Sequence, residues 1–184
     1  MKIRKTDQSG KPRTKDLCLL IASFFGIGLI SRKMPGTVGS LAATVIVLLS
    51  PKFVTLMLVL SAVTFLVGTI ACIRLLSKPP ESEVRVRYDS DSRDPGYVVI
   101  DEVCGVFLGS SIIFSYGLTS TWAIIINFLL FRFFDIVKPC PIRNVEAHLK
   151  RFDKTAGFGI MLDDVLAAII ASSLQVLWSI LWGK

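Results

Sequence analysis

Histidine is almost absent from this chain: its 184 residues contain one, His148, which reads as a solvated loop residue. Phosphoryl chemistry that passes through one histidine nucleophile with a second as acid is thereby excluded. A zinc site of the usual Cys/His make-up is disfavoured on the same count. The four cysteines (Cys18, Cys72, Cys104 and Cys140) are scattered and form no C-x-x-C pair. They read as small apolar packing residues in a reduced compartment rather than as a disulfide framework. No nucleic-acid-binding module of recognisable spacing is present, and neither is an internal repeat or a low-complexity tract. Charge is missing from long stretches as well: residues 53–73 carry no ionised side chain over 21 positions.

Such a run matches the roughly 20 residues that cross about 30 Å of hydrocarbon as a helix. The plain alternative is a large buried helix of a soluble domain. The chain is 52% hydrophobic with a mean hydropathy of +0.63, and its charges are gathered between apolar runs. Residues 1–16 hold six Lys/Arg, and further clusters lie at 31–33, 74–94 and 132–154. The net charge of +7 therefore flanks apolar segments. That placement points to a lipid bilayer with anionic head groups and cytoplasmic basic loops, not to nucleic acid. The basic start followed by apolar residues 17–30 has the outline of a secretory signal. Ser31-Arg32-Lys33 follows directly without a small-x-small cleavage site, so the segment is read as part of the mature protein.

The pattern predicts an all-α fold: a polytopic integral membrane helical bundle with about four to five spans. Residues 1–16 form a flexible basic cytoplasmic tail, and 17–184 a single domain. Residues 17–30 are too short to span and suit an interfacial or re-entrant helix. A loop at 31–38 precedes helical stretches at 39–50 and 52–76, broken at Ser50-Pro51. Polar residues 77–96 separate these from a second apolar pair, 98–116 and 120–137, joined at Gly117-Leu118-Thr119. Polar, basic residues 138–159 lead to a last helix at 160–182, where Trp178 and Trp182 suit an interfacial aromatic belt. With every basic cluster cytoplasmic, all the long polar segments share that face.

Carboxylates beside apolar helix segments cost about 2.5–3.5 kcal/mol each near a span's centre, so each one asks for a reason. Three such placements occur: Asp101-Glu102 entering one helix, Asp135 closing another, and Asp163-Asp164 opening the last. All three fall at one expected depth, near the cytoplasmic face. Five carboxylates in one region repel unless cations sit among them, and Mg²⁺ is held by a few carboxylates with water and phosphate. Helix N-terminal placement is the plain alternative for the acid pairs. Arg132, Asp135 and Lys138 recur at i, i+3, i+6 along one helix side, where Arg and Lys can bind substrate phosphate. The plain alternative is an internal Arg132–Asp135 ion pair. In Met34-Pro35-Gly36-Thr37-Val38-Gly39-Ser40, the glycines free the backbone, and Thr37 and Ser40 offer hydroxyls to phosphate or simply cap a helix.

At these segments the sequence resembles the phosphatidylglycerophosphatase A family. The resemblance runs through Pro35-Gly36-Thr37-Val38-Gly39-Ser40-Leu41 and Val98-Val99-Ile100-Asp101-Glu102-Val103-Cys104-Gly105. It continues in Phe131-Arg132-Phe133-Phe134-Asp135-Ile136-Val137-Lys138-Pro139-Cys140-Pro141-Ile142 and in Gly157-Phe158-Gly159-Ile160-Met161-Leu162-Asp163-Asp164-Val165-Leu166-Ala167. Two departures stand out: Ala167-Ala168 replaces the family's usual Ala-Gly, and residues 81–94 are unusually charged. The resemblance implies Mg²⁺-dependent hydrolysis of phosphatidylglycerophosphate to phosphatidylglycerol and phosphate, the last step of phosphatidylglycerol synthesis. It would take place at the bacterial cytoplasmic membrane, with the active site facing the cytoplasm. Asp101, Glu102, Asp135, Asp163 and Asp164 would then be the catalytic, metal-holding residues, while Thr37, Ser40, Arg132 and Lys138 bind the substrate phosphate. Attack by water and attack by a carboxylate both remain open.

Two other phosphoryl chemistries lack their signatures. The D-x-D-x-[TV] motif of haloacid-dehalogenase-type phosphatases is absent, Asp89-Ser90-Asp91-Ser92-Arg93 sharing only the paired acids. Phosphotransferases on CDP-linked lipids carry D-G-x-x-A-R…G…D-x-x-x-D, which is also missing. A divalent-cation transporter is the alternative from another class, and it predicts acids near the bilayer midplane.

Overall fold

The computed structural model describes residues 14–31, 33–77, 95–140 and 153–182. Among them there are six α-helices and no strand: α1 (Thr14–Ala22), α2 (Pro35–Leu49), α3 (Val54–Ser77), α4 (Ile100–Ser115), α5 (Thr121–Val137) and α6 (Asp153–Trp182). His148 and the charged stretch 81–94 lie outside the described residues, as do residues 1–13 of the expected tail.

Three boundaries differ from the sequence expectation. The apolar stretch 17–30 is not one helix, because α1 already starts at Thr14 and stops at Ala22. Phe24, Phe25 and Gly26 then take left-handed backbone angles (φ 46°, 58° and 88°) before a short 3-10 turn at Ile27–Leu29. The Ala22 carbonyl accepts the Val99 N–H at 2.9 Å, which ties this turn to the entrance of α4. α2 starts at Pro35, so residues 35–38 form a helical turn instead of a loop. Proline suits that first position, where its preset φ fits and its missing N–H would have had no helical partner. α6 starts at Asp153, nearly two turns before the expected 160, and runs for 30 residues.

α3 and α6 are the two helices long and apolar enough to cross a membrane, with mean hydropathies of 2.5 and 1.9 over their best windows. Only 28% and 33% of those windows are buried inside the protein, whereas the core helix of a soluble domain would be mostly covered. α3 presents Leu58, Val59, Val63, Leu66 and Ile70 outward, and α6 presents Leu174, Leu177, Trp178 and Trp182. Apolar surface of that extent suits hydrocarbon better than water. α2, α4 and α5 have 15, 16 and 17 residues. Each falls short of the roughly 20 needed for a straight span, so length and composition do not establish the expected four to five crossings.

α4 is the axis of the bundle, packed against α2, α3, α5 and α6. At Gly105 a β-carbon would come within 2.7 Å of the Phe131 ring, so the lack of a side chain lets α4 and α5 close together. Val103, Val106, Phe107, Ile113 and Phe131 fill the core beside Ala167, Ala168 and Ala171 of α6. Buried amides add a directional lock. Asn127 donates to Gln175 Oε1 at 3.0 Å, and Gln175 donates to the Ala123 carbonyl at 2.8 Å. Gln175→Ala should therefore lower unfolding stability in detergent by about 1–2 kcal/mol, because the Asn127 amide is left unpaired in an apolar interior. A denaturation midpoint equal to that of the wild type would show that this lock does not hold α5 to α6.

Candidate active site

Four helices deliver their polar residues to one end of the bundle. α2 and α4 begin there, and the negative side chains of Asp101 and Glu102 in the first turn of α4 meet a favourable helix dipole. α5 ends there with Arg132, Asp135 and Lys138, and α6 passes by with Asp163 and Asp164. The acid pair of α6 does not open its helix. It lies ten residues after Asp153, about 15 Å along the axis.

Together these elements enclose a cavity of about 190 Å³. Asp101, Glu102, Asp135, Lys138, Asp163 and Asp164 line it. Pro35, Gly36, Gly96 and Val98 complete the wall. Ligand oxygens of Asp101, Glu102 and Asp164 all lie within 4.8 Å of one another. Asp101 and Asp164 are buried and Glu102 is half-buried. Glu102 Oε2 and Asp164 Oδ2 are buried without a hydrogen-bond partner among the described residues. Asp163 Oδ1 accepts the Asp164 N–H at 3.1 Å, which fixes the first carboxylate of that pair.

Of the nine residues expected at the site, six line the cavity; Thr37, Ser40 and Arg132 do not. Lys138 is the cap residue after α5, in a left-handed conformation (φ 43°), and its ammonium lies 2.6 Å from Asp163 Oδ2. Arg132 Nη1 lies 2.5 Å from Asp135 Oδ2 and 3.6 Å from Glu102 Oε1, while Nη2 donates to Thr37 Oγ1 at 3.4 Å. The Ser40 hydroxyl donates to the Gly36 carbonyl at 2.7 Å inside α2. A β-carbon on Gly36 would overlap Glu102 Oε1, so this glycine serves close approach rather than loop freedom. The P-G-T-V-G-S segment carried that signal only in part, and nothing in the sequence marked Gly96 or Val98 as wall.

The donor set fits a hard divalent cation: three carboxylates converge, and two of their buried oxygens lack partners among the described residues. Uncompensated like charges destabilise the fold, so Asp164→Asn should melt above the wild type in the presence of chelator. Added Mg²⁺ should raise the wild-type melting point, by the equivalent of about 2.7 kcal/mol at a hundredfold excess over Kd, and leave Asp164→Asn nearly unmoved. Equal responses of both proteins would mean that no cation is held there.

Comparison with known proteins places the chain among lipid phosphatases. The profile of the family described as Phosphatidylglycerophosphatase A matches residues 20–179. A Haemophilus influenzae phosphatidylglycerophosphatase A is 43% identical over 154 residues, 83% of this chain and 82% of that protein. The Escherichia coli phosphatidylglycerophosphatase A is 30% identical over 84% of this chain and 79% of its own length. A Bacteroides thetaiotaomicron protein provisionally named a phosphatidylinositol-3-phosphatase is 32% identical over 85% of this chain and 90% of its own. No solved structure matches the chain. Family profile and relatives both cover most of the sequence, and the chain belongs to the phosphatidylglycerophosphatase A family.

Proposed function

We propose that this protein is a Mg²⁺-dependent phosphatase that hydrolyses the phosphate monoester of phosphatidylglycerophosphate to phosphatidylglycerol and inorganic phosphate. The observation that carries the reading is the meeting of α4 and α6 carboxylates within 4.8 Å, in a cavity that also holds the Lys138 ammonium. The names of the Haemophilus influenzae and Escherichia coli relatives support the substrate.

Asp101, Glu102 and Asp164 would hold the ion, with Asp135 and Asp163 on the adjoining wall. When bound, the ion would supply Lewis-acid polarisation of a phosphoryl oxygen and offset the charge that gathers on the transferring group. Lys138 adds a compact positive charge on the same wall, suited to the substrate phosphate. Pro35 and Gly36 bring the first turn of α2, whose early N–H groups have no acceptor inside the helix and favour an anion. Wall carboxylates provide a proton acceptor for water attacking phosphorus, and the glycerol oxygen leaves with a proton. A lipid phosphate on another head group would present the same monoester, which the name of the Bacteroides thetaiotaomicron relative favours as a second substrate class.

The chain would sit in the bacterial cytoplasmic membrane as a multi-pass protein, with the cavity facing the cytoplasm. Support comes from the bundle's polarity: α2 and α4 start at the cavity and α5 ends there, while the tips at residues 50–53 and 116–120 lie at the other ends of these helices. In the sequence, basic clusters directly precede the cavity ends of α2 and α4 and follow that of α5, as cytoplasmic loops do. Acids at the ends of α4 and α5 fit a site at the membrane face better than a cation path through the midplane.

Phosphate release from phosphatidylglycerophosphate in detergent micelles, with phosphatidylinositol 3-phosphate as a parallel arm, tests the reading. The wild type should require Mg²⁺, and Asp101→Asn and Asp164→Asn should each lose more than about 100-fold in rate. Lys138→Met should raise KM. A well-folded wild type that stays silent on both lipids in the presence of Mg²⁺ would sink the phosphatase reading and direct attention to cation flux in liposomes.

A further inference from the structure

We infer that Arg132 is a positioning residue for the cation-holding carboxylates and makes no contact with the substrate phosphate; the inference rests on the metal-phosphatase reading above. Its guanidinium stands behind the cavity wall and does not line the cavity. One nitrogen, Nη1, faces two carboxylates at once, Asp135 Oδ2 at 2.5 Å and Glu102 Oε1 at 3.6 Å. The other, Nη2, reaches across to Thr37 Oγ1 on α2 at 3.4 Å. A β-carbon on Gly36 would stand 3.3 Å from Nη2 and overlap Glu102 Oε1. The first turn of α2, the Glu102 carboxylate and the guanidinium are thus packed as one layer, with no room for a phosphoryl group between them.

The division of Glu102's two oxygens gives this layer its purpose. Oε1 faces Arg132, and Oε2 is buried without a hydrogen-bond partner among the described residues. An arginine that holds one oxygen fixes the rotamer of the carboxylate and leaves the second available to a cation. Side-chain exposures of 13% for Arg132, 13% for Glu102 and 12% for Asp135 put the group largely out of water, where a charge pair is less screened than at a surface. Partners of this kind, one step behind the ligands, typically change metal affinity by about 10–100-fold when removed. Lys138 differs: it lines the cavity, with its ammonium 2.6 Å from Asp163 Oδ2. The two cations of α5 therefore have separate tasks, Arg132 for the carboxylates and Lys138 for the phosphate.

The test uses the full chain purified in detergent. Mn²⁺ binding is followed by electron paramagnetic resonance without substrate, and kcat and KM are measured on phosphatidylglycerophosphate at saturating Mg²⁺. Arg132→Ala should weaken Mn²⁺ binding by about 10–100-fold, while its KM stays within about threefold of the wild type. Arg132→Lys should also weaken Mn²⁺ binding, because a single ammonium cannot hold Glu102, Asp135 and Thr37 together as the planar fork does. Lys138→Met should show the converse, a raised KM with the smaller change in Mn²⁺ affinity. If Arg132→Ala fails to fold, Arg132→Lys decides. Wild-type Mn²⁺ affinity in the Arg132 variants, joined to a KM raised more than about tenfold, would overturn the inference and leave the functional reading standing. A wild type that neither binds Mn²⁺ nor releases phosphate would overturn both.

Discussion

Repulsion among carboxylates at one end of an apolar bundle is the constraint on which the rest of this structure depends. Asp101, Glu102 and Asp164 bring oxygens within 4.8 Å of each other in a setting that offers little water to screen them. Such an arrangement is costly in isolation and persists only where the surrounding packing enforces it. The fold supplies that enforcement with α4 at its axis, held by partners on every side. It also offsets the two outer acids, Asp135 through Arg132 and Asp163 through Lys138. What remains is a compact set of oxygens suited to a hard cation, which makes the local cost of the site part of its chemistry.

Backbone geometry sets where those offsetting charges go. Steps of three residues fall about 60° short of a full helical turn, so Arg132 and Lys138 leave α5 about 120° apart. The left-handed cap at Lys138 turns its side chain further, toward Asp163 on α6. Arg132 remains in the helix and points toward α2 and α4. The bare α-carbon of Gly36 allows α2 to meet that arginine and Glu102, which places the N-terminus of α2 at the cavity. Three local backbone choices, a proline start, a glycine contact and a left-handed cap, therefore settle the layout of the charges.

The helical class was legible in the sequence, as were the six charged residues that line the cavity; their mutual geometry was not. Charge-free runs such as 53–73 announced α3, and Ser50-Pro51 and Gly117-Leu118-Thr119 marked real breaks. Helix starts were harder to read. Gly36 and Gly39 have poor helix propensity and suggested a loop, but packing against Glu102 and Val99 overrides that preference. Polar residues 153–159 suggested a loop too, although they extend α6 by nearly two turns. At the site, acids beside apolar segments were conspicuous because hydrocarbon tolerates them so poorly. Whether Arg132 faced the cavity or its wall could not be read from spacing along α5, since the answer depends on how close α2 comes. Gly36, which decides it, has no side chain to advertise the contact.

The unequal lengths of the helices explain why the cavity lies where it does. α2, α4 and α5 are 15–17 residues long, about 23–26 Å, whereas α6 continues for 30 residues, about 45 Å. Asp163 and Asp164 can thus lie well inside a long apolar helix and still meet acids at the ends of short ones. The result is a polar recess at the rim of the apolar bundle, in place of a polar path through it. Under the proposed placement at the membrane face, that position suits hydrolysis of a lipid phosphate. The reacting monoester and the departing phosphate are hydrophilic, the acyl chains are not, and a site at the short helix ends lets each part keep its own solvent. Deeper placement would force the phosphate through hydrocarbon, and a site carried out on a loop would lose the rigid helices that hold three carboxylates together against their repulsion.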